Sequence, residues 1–374
     1  MTEQPLRVAF DNSLTGRNRT GSGVYVSELL SRLNSHPELK LHVFSGPNWS
    51  NGHAGPVVKG LRSAGRLFWA QCYLPFSLHR SRFDLLHSPA FILPAVCPCP
   101  AVVTVLDVVV DLYPGDFNRK WQAYVKALMP RAMRTASAVI CISECTKRDL
   151  IRLYDVSERK IHVVHLGLDH QRFHPRQKLD VAWARSIGLN RDYILHVGEF
   201  APRKNIPSLL RAVAQLRRQG KFDRLQLVLA GPETPGTSGG IEIRNTIKDL
   251  ELHDSVVLTG HVPKDKLPGL YAQARLLVMP SLYEGFGLPV IEGMAAGTPV
   301  VASNSSSIPE VAGEAAILVP PKDEVALAGA IADVLGNVEI AEELRKKGLA
   351  RAGQFTWQRT AQETFQVYRS VSSS

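Results

Sequence analysis

The run Pro280-Ser-Leu-Tyr-Glu-Gly-Phe-Gly-Leu-Pro-Val-Ile-Glu292 puts two glutamates, Glu284 and Glu292, on either side of a glycine-rich turn. The apolar run from Arg275 to Met279 reads as a buried strand and Leu288 to Ala296 as a helix, so the turn Glu284 to Gly287 lies at a strand's carboxyl end. Ligands of open α/β sheets bind there. Free N–H groups at a helix start suit an anion, above all a phosphate, and Gly285 and Gly287 allow the backbone to come close to it. Glu292, near the first helical turn, is placed to accept hydrogen bonds from a ribose diol. Glu284 precedes the turn and can reach the far end of the same ligand. The pair suits a nucleotide sugar gripped at both ends, with Gly285, Phe286, Gly287 and Leu288 lining the turn between.

The spacing Glu-x7-Glu with Gly-Phe-Gly-Leu-Pro inside it, followed by Met294-Ala-Ala-Gly-Thr-Pro-Val-Val-Ala302, resembles the retaining glycosyltransferases of family 4. The resemblance covers nearly the whole chain. It implies the GT-B architecture, an α/β fold of two Rossmann-like domains whose parallel sheets face each other across a cleft. Glu284 would then position the donor sugar as a catalytic residue, and Glu292 would hold the ribose.

Organisation along the chain agrees with two such domains. A chain of 374 residues is comfortable for two domains of ordinary size, and 45% hydrophobic with 21% charged residues is the balance of a globular protein. Strands are expected at Leu6–Asp11, Leu41–Phe44, Leu85–Ser88, Ala101–Leu106, Ala138–Ile142 and Ile161–His165, with helices such as Val24–Leu33 and Asn118–Thr135 between them. After the polar, basic stretch from Gln171 to Asp192 the rhythm restarts: Tyr193–Val197, Leu225–Ala230, Val256–Thr259, Arg275–Met279, Pro299–Ala302 and Ala316–Val319. The expected domains are 1–170 and 171–354. The last helix, from Phe355 onward, would pack back on the first domain, a crossing implied by the resemblance alone.

The polar start, Met1 to Arg7, shows no secretory signal, and Pro94, Pro98, Pro100 and Asp107 break the longest apolar stretch, so a cytoplasmic protein is expected. Five cysteines read as reduced thiols, with no second pair to complete a zinc site. No metal and no cofactor are expected. The formal charge of +10 calls for an anionic partner. No zinc-finger spacing or RNP pattern is present, which argues against nucleic acid and for phosphorylated substrates or an anionic membrane surface.

Other candidate residues follow strand ends. Gly198-Glu-Phe-Ala-Pro-Arg-Lys-Asn205 sets two cations on a loop fit to neutralise a diphosphate. It is similar to the family's diphosphate loop, which assigns Lys204 to the donor phosphate. Many members carry arginine after the glycine; Glu199 stands there here, leaving Arg203 as the substitute. Thr20-Gly-Ser-Gly-Val-Tyr25 opens a helix after the first strand, and its resemblance to the family's first loop turns the Gly23 amide toward donor phosphate or acceptor. Leu106-Asp107 stands where members commonly have His-Asp. Leucine cannot supply that histidine's hydrogen bond, whereas Asp107 can hold a sugar hydroxyl or cap a helix. His87 either reaches the same region or is structural. His261 and Val262, before Pro263, correspond to the loop that in the family offers backbone groups to the nucleobase, and the resemblance implies the same main-chain role for them.

These readings, with the resemblance, imply a metal-independent, retaining hexosyltransferase; the similarity of the Thr-Gly-x-Gly, Pro-Arg-Lys-Asn and Gly-Phe-Gly-Leu-Pro set to bacterial polysaccharide mannosyltransferases makes mannose from GDP-mannose the first expectation. Its partners are a nucleotide-sugar donor, a glycan or lipid-linked acceptor and an anionic membrane surface. The alternatives are an epimerase or hydrolase of the same fold and an inactive sugar-nucleotide-binding homologue.

Overall fold

The computed structural model describes residues 4–13, 21–46, 65, 68–220, 225–233 and 238–373. They form two compact units: Met1–Val108, Lys120–Leu166 and Trp357–Ser374 in the first, Val109–Arg119 and Gly167–Thr356 in the second. The segment Val109–Arg119 thus belongs to the second unit although the chain on both sides of it belongs to the first.

Unit 1 is built on β1 (Leu6–Asp11), β2 (Leu39–Phe44), β3 (Leu85–Ser88), β4 (Ala101–Val105), β5 (Ala138–Cys141) and β6 (Ile161–Val163). All pairings are parallel, in the order β2-β1-β3-β4-β5-β6. The inner strands β3, β4 and β5 are buried at each position, which is why they read as short continuous apolar runs rather than alternating ones. The last helix, Trp357–Ser372, packs against the helix Gly21–Leu33 and against β3 and β5, burying Trp357, Phe365 and Tyr368.

A polar chain runs through this core. Both ring nitrogens of His87 are engaged, Nδ1 with the Tyr368 hydroxyl at 2.5 Å and Nε2 with the Thr104 hydroxyl at 2.9 Å, and Thr104 meets the Tyr25 hydroxyl at 3.0 Å. Burial pushes the His87 pKa down to about 3, so the ring is neutral. Of the two readings of His87 the structural one holds, because neither nitrogen has capacity left for a sugar.

The helix Arg119–Thr135 runs unbroken through Pro130. Its apolar residues divide: Val125, Met129, Ala132 and Met133 are buried, whereas Trp121 and Tyr124 are 40% and 37% exposed at the N-terminal end beside Arg119, Lys120 and Lys126. Most of the apolar face therefore serves the core of the unit. Among the described residues no helix is long and apolar enough to cross a membrane.

Unit 2 carries β7 (Tyr193–Val197), β8 (Gln226–Ala230), β9 (Val256–Gly260), β10 (Leu276–Met279), β11 (Val300–Ser303) and β12 (Ile317–Val319). The order is β12-β11-β10-β7-β8-β9, again all parallel. Counted from the first strand of the unit this is the Rossmann order, in which the direction of strand addition reverses between the first and fourth strands. Here those strands are β7 and β10. The loops leaving their carboxyl ends, 198–205 and 280–287, therefore flank the crevice where such sheets take their ligands. Leu209, Leu227, Leu229, Leu276, Val278, Val301 and Ile331 form the core under one face, each worth roughly 1.5–3 kcal/mol of burial.

Candidate active site

Local backbone chemistry fixes the two loops against each other. Pro202–Lys204 is a turn of 3-10 helix that ends at Asn205 with φ +53°, a left-handed conformation that asparagine tolerates. The Asn205 amide then donates to the carbonyls of Pro280 (3.2 Å) and Pro321 (2.6 Å), while the Leu282 N–H donates to the Arg203 carbonyl at 2.7 Å. Gly231 supports the same loop from beneath: a Cβ there would lie 1.9 Å from the Gly198 carbonyl oxygen. In the turn before the helix Leu288–Ala295, Gly287 has φ +95°. A side chain would find room there, with its nearest neighbours at 3.8 and 3.9 Å, so the conformation and not crowding calls for glycine. Pro289 has no N–H and the Val290 amide bonds the Gly287 carbonyl at 2.9 Å. The amides that this helix start offers an anion are thus those of Gly287 and Leu288.

Lys204 and Glu284 come together. The Lys204 ammonium donates to Glu284 Oε1 at 2.6 Å, and Ser281 Oγ donates to the same oxygen at 2.7 Å. Ser306 Oγ accepts from the Glu284 amide at 2.8 Å and Ser307 Oγ donates to its carbonyl at 2.9 Å, so backbone and carboxylate are both anchored. Burial alone would raise the Glu284 pKa. The charges of Lys204 and Arg203, with the hydrogen bonds from Lys204 and Ser281, reverse this and hold the carboxyl below its ordinary value. Arg203 is also engaged: its Nη2 meets Glu199 Oε1 at 2.5 Å and its Nε lies 3.4 Å from Asp116 Oδ2. That second approach is not a hydrogen bond, and Arg203 Nε, Arg203 Nη1 and Asp116 Oδ2 are buried without hydrogen-bond partners. Beneath the loop, His196 donates from Nδ1 to the Val278 carbonyl at 3.0 Å, while its buried Nε2 has no partner.

Glu292 lies at the other end of the turn. Tyr271, fully buried on the helix Leu267–Ala272, donates its hydroxyl to Glu292 Oε2 at 2.8 Å. Burial pushes the Glu292 carboxyl up, and the Tyr271 hydrogen bond and the charge of Arg172 pull against that rise. In the loop after β9, His261 is exposed and Val262 is buried. The Arg172 guanidinium donates to the Lys264 carbonyl of this loop at 2.6 Å. Phe286 is buried with its ring edge-on to Phe355 at 5.7 Å, so what it offers a ligand is main chain.

Two expected residues belong to unit 1. Gly23 lies on the helix Gly21–Leu33, and Asp107 is exposed just after β4. Thr20, of the same glycine motif, lies outside the described residues.

Two family models match the chain, Glycosyltransferase Family 4 over residues 19–172 and Glycosyl transferases group 1 over residues 181–351. O-antigen chain mannosyltransferase B of Escherichia coli is 30% identical over 378 residues, covering 94% of this chain and 96% of its own. This chain is a family 4 glycosyltransferase. Solved structures give the fold: sucrose-phosphate synthase from Thermosynechococcus elongatus superposes with a TM-score of 0.75 at 22% identity over 98% of both chains. Anabaena HepE, solved in complex with UDP-glucose, gives 0.73 at 19% identity over 99% of this chain and all of its own. The fold is GT-B. In this glycosyltransferase the sequence had left Arg203 as the stand-in for an arginine displaced by Glu199. The structure ties Arg203 to Glu199 itself, and brings it close to Asp116, a residue that sequence reasoning passed over. Tyr271, Arg172, Ser281 and His196 were missed as well. A tyrosine or histidine within an apolar helix or strand was the signal available for two of them, and it does not tell a ligand-facing group from a satisfied core one.

Proposed function

We propose that this enzyme transfers a hexosyl group, mannose from GDP-mannose in the first instance, from a nucleoside diphosphate sugar to a hydroxyl of a glycan or lipid-linked acceptor, with retention at the anomeric carbon and without a metal ion. The observation that carries the reading is the unequal seating of two glutamates across one glycine turn at the switch point of a Rossmann sheet. Glu284 is ionised and fixed beside Lys204. Glu292 is held by one oxygen and keeps the other for a ligand. A sugar hydroxyl at Glu284, a diphosphate at Lys204 and the amides of Gly287 and Leu288, and a ribose diol at Glu292 follow in the order in which a nucleotide sugar presents them. The mannosyltransferase name of the E. coli relative supports the sugar, and the UDP-glucose in HepE supports the class of donor.

In the mechanism, the bond from the anomeric carbon to the β-phosphate oxygen breaks while the acceptor oxygen bonds the same face. The acceptor proton passes to the departing phosphate oxygen, so no protein nucleophile is needed. Charge that grows on the β-phosphate meets the Lys204 ammonium and the helix amides, which act strongly because the site is already oriented. Incubation with GDP-mannose, UDP-glucose and UDP-galactose, with and without acceptor glycans and in EDTA, followed by mass spectrometry and NMR of the product anomer, tests this. The expected outcome is an α-linked product that forms equally in EDTA. Donor loss without acceptor points to the epimerase or hydrolase, and activity restored only by Mg²⁺ or Mn²⁺ sinks the metal-free mechanism.

The reading includes an anionic membrane as the surface where a lipid-linked acceptor is met. Trp121 and Tyr124 with Arg119, Lys120 and Lys126 form its contact, each cation contributing on the order of 1 kcal/mol. Sedimentation with phosphatidylglycerol vesicles at low salt should be abolished by changing the three cations to glutamate; unchanged sedimentation removes this contact.

A further inference from the structure

Glu292 is half-buried and its carboxyl is pushed up by burial, yet the Glu292 role above requires it to be charged and to face a ligand with a definite oxygen. Carboxylates withdrawn from water take up a proton unless something nearby favours the ion. The groups that do so here come from two other elements. The Tyr271 hydroxyl, on the helix Leu267–Ala272, spends its hydrogen on Oε2 at 2.8 Å. Tyr271 is itself held: its carbonyl accepts from Thr298 Oγ1 at 2.6 Å and its ring receives the edge of Phe173 at 5.8 Å. Arg172, the residue before Phe173, stacks its guanidinium on that ring at 5.0 Å and acts on Glu292 as a charge without pairing with it. The helix Val338–Ala352, packed along the other side of the Glu292 helix, meets it through Gly348 against Met294 and brings Arg345 to Gly297, beyond the helix end.

We propose that Tyr271 and Arg172 are positioning residues for nucleotide recognition: Tyr271 fixes one oxygen of Glu292 so that the other receives the ribose diol, and Arg172 keeps that carboxylate charged while bracing the loop at Lys264. The proposal rests on the reading of Glu292 as the ribose partner. It makes the discrimination between ribose and deoxyribose depend on a phenol that touches no substrate. It also makes nucleotide affinity depend on pH. Affinity falls as the pH drops through the Glu292 pKa, because a protonated carboxyl gives up one acceptor. Removing the Tyr271 hydrogen bond or the Arg172 charge favours the neutral form, so the fall then begins at higher pH.

Isothermal titration calorimetry decides the matter, with GDP, UDP and the 2′-deoxy form of whichever binds, across pH 5 to 8.5. In the wild type the ribonucleotide should be preferred roughly tenfold or more, the size of a hydrogen bond to a charged acceptor. Tyr271→Phe should cut that preference several-fold and move the pH midpoint of binding upward. Arg172→Met should move the midpoint the same way, Arg172→Lys should restore it, and these two carry the test if Tyr271→Phe melts early. Variants that keep the wild-type preference and midpoint, even with uniformly weaker binding, overturn the proposal. Wild type that binds no nucleoside diphosphate, or Glu292→Ala that leaves both affinities intact, instead removes the underlying reading of Glu292, and the role of Tyr271 falls with it.

Discussion

Both units bury polar side chains, but they finish the task differently. In unit 1 the chain Tyr368, His87, Thr104 and Tyr25 is neutral and closed: each group meets another within hydrogen-bond distance. In unit 2 the buried groups around the loop 198–205 are mostly charged and incomplete, with Arg203 Nε and Nη1, Asp116 Oδ2 and the neutral His196 Nε2 left over. Among the described residues the fifth such atom is Arg217 Nη1, so the incompleteness concentrates beside Lys204 and Glu284. Native structures satisfy nearly all buried polar groups, and exceptions gather where a ligand or a chemical step completes them. A closed network holds a fold together; an open one is built around something that arrives later.

The largest test of this contrast is Lys204→Met. It strands the Glu284 carboxylate, which should lower stability by about 3–5 kcal/mol near neutral pH. The sign with pH is distinctive. The wild-type Glu284 pKa lies below its ordinary value of 4.5, so its contribution is complete above that pH and is lost as the pH falls through the lower folded value. In Lys204→Met the more distant Arg203 and the Ser281 hydrogen bond remain to oppose burial, the pKa rises, and the deficit should shrink as the pH is lowered toward 5. Denaturant titration at several pH values reads this, and a pH-independent deficit breaks the ion-pair account.

Next in size, the two glutamates should separate in their effects. Glu292→Ala should weaken nucleoside diphosphate binding by roughly 10- to 100-fold, about 1.4–2.8 kcal/mol, whereas Glu284→Ala should lower kcat far more than nucleotide affinity. Equal losses in both measurements for both variants would merge the two ends of the site into one.

The smallest effect belongs to the closed network. His87→Phe should cost on the order of 1–3 kcal/mol through the Tyr368 hydroxyl it leaves unpaired and the Thr104 contact it removes, with kcat/KM within a few-fold of wild type. His87, with a folded pKa of about 3, and His196, at about 4, are neutral in the folded protein and bind a proton more readily when unfolded. Their contribution is complete above the unfolded pKa of about 6.5 and declines as the pH falls toward those folded values. His87→Phe should therefore flatten the loss of stability below pH 6.5. A large drop in activity with unchanged stability would place His87 in the chemistry after all.

Strands were legible because parallel sheets covered on both faces need short apolar runs, and β1, β3 and β7 match the expected ranges residue for residue. Ends drifted by one to two residues elsewhere: β6 stops at Val163 rather than His165. The glycine turn, the Pro-Arg-Lys-Asn loop and both glutamates were legible because their chemistry is local. Partnerships were not. Lys204 and Glu284 are eighty positions apart, and Arg203 and Asp116 eighty-seven; the pairing of β7 with β10 brings the first two together, and the membership of Val109–Arg119 in unit 2 the second. Charge on a loop suggested cations for a diphosphate, and the fold shows those same cations beside carboxylates.

The Lys204–Glu284 pair turns that loop into a competition. Any anion that reaches Lys204 has to displace a carboxylate tethered beside it, and a tethered group acts at an effective concentration far above that of a small ion in solution. Lone phosphate brings nothing to offset the displaced partner. A ligand that also anchors elsewhere holds its phosphate next to Lys204 for as long as the other anchors last, and a hydroxyl donor at Glu284 gives the released carboxylate a new partner. The site is thereby tuned to multi-point ligands before any contact that reads the identity of base or sugar is made.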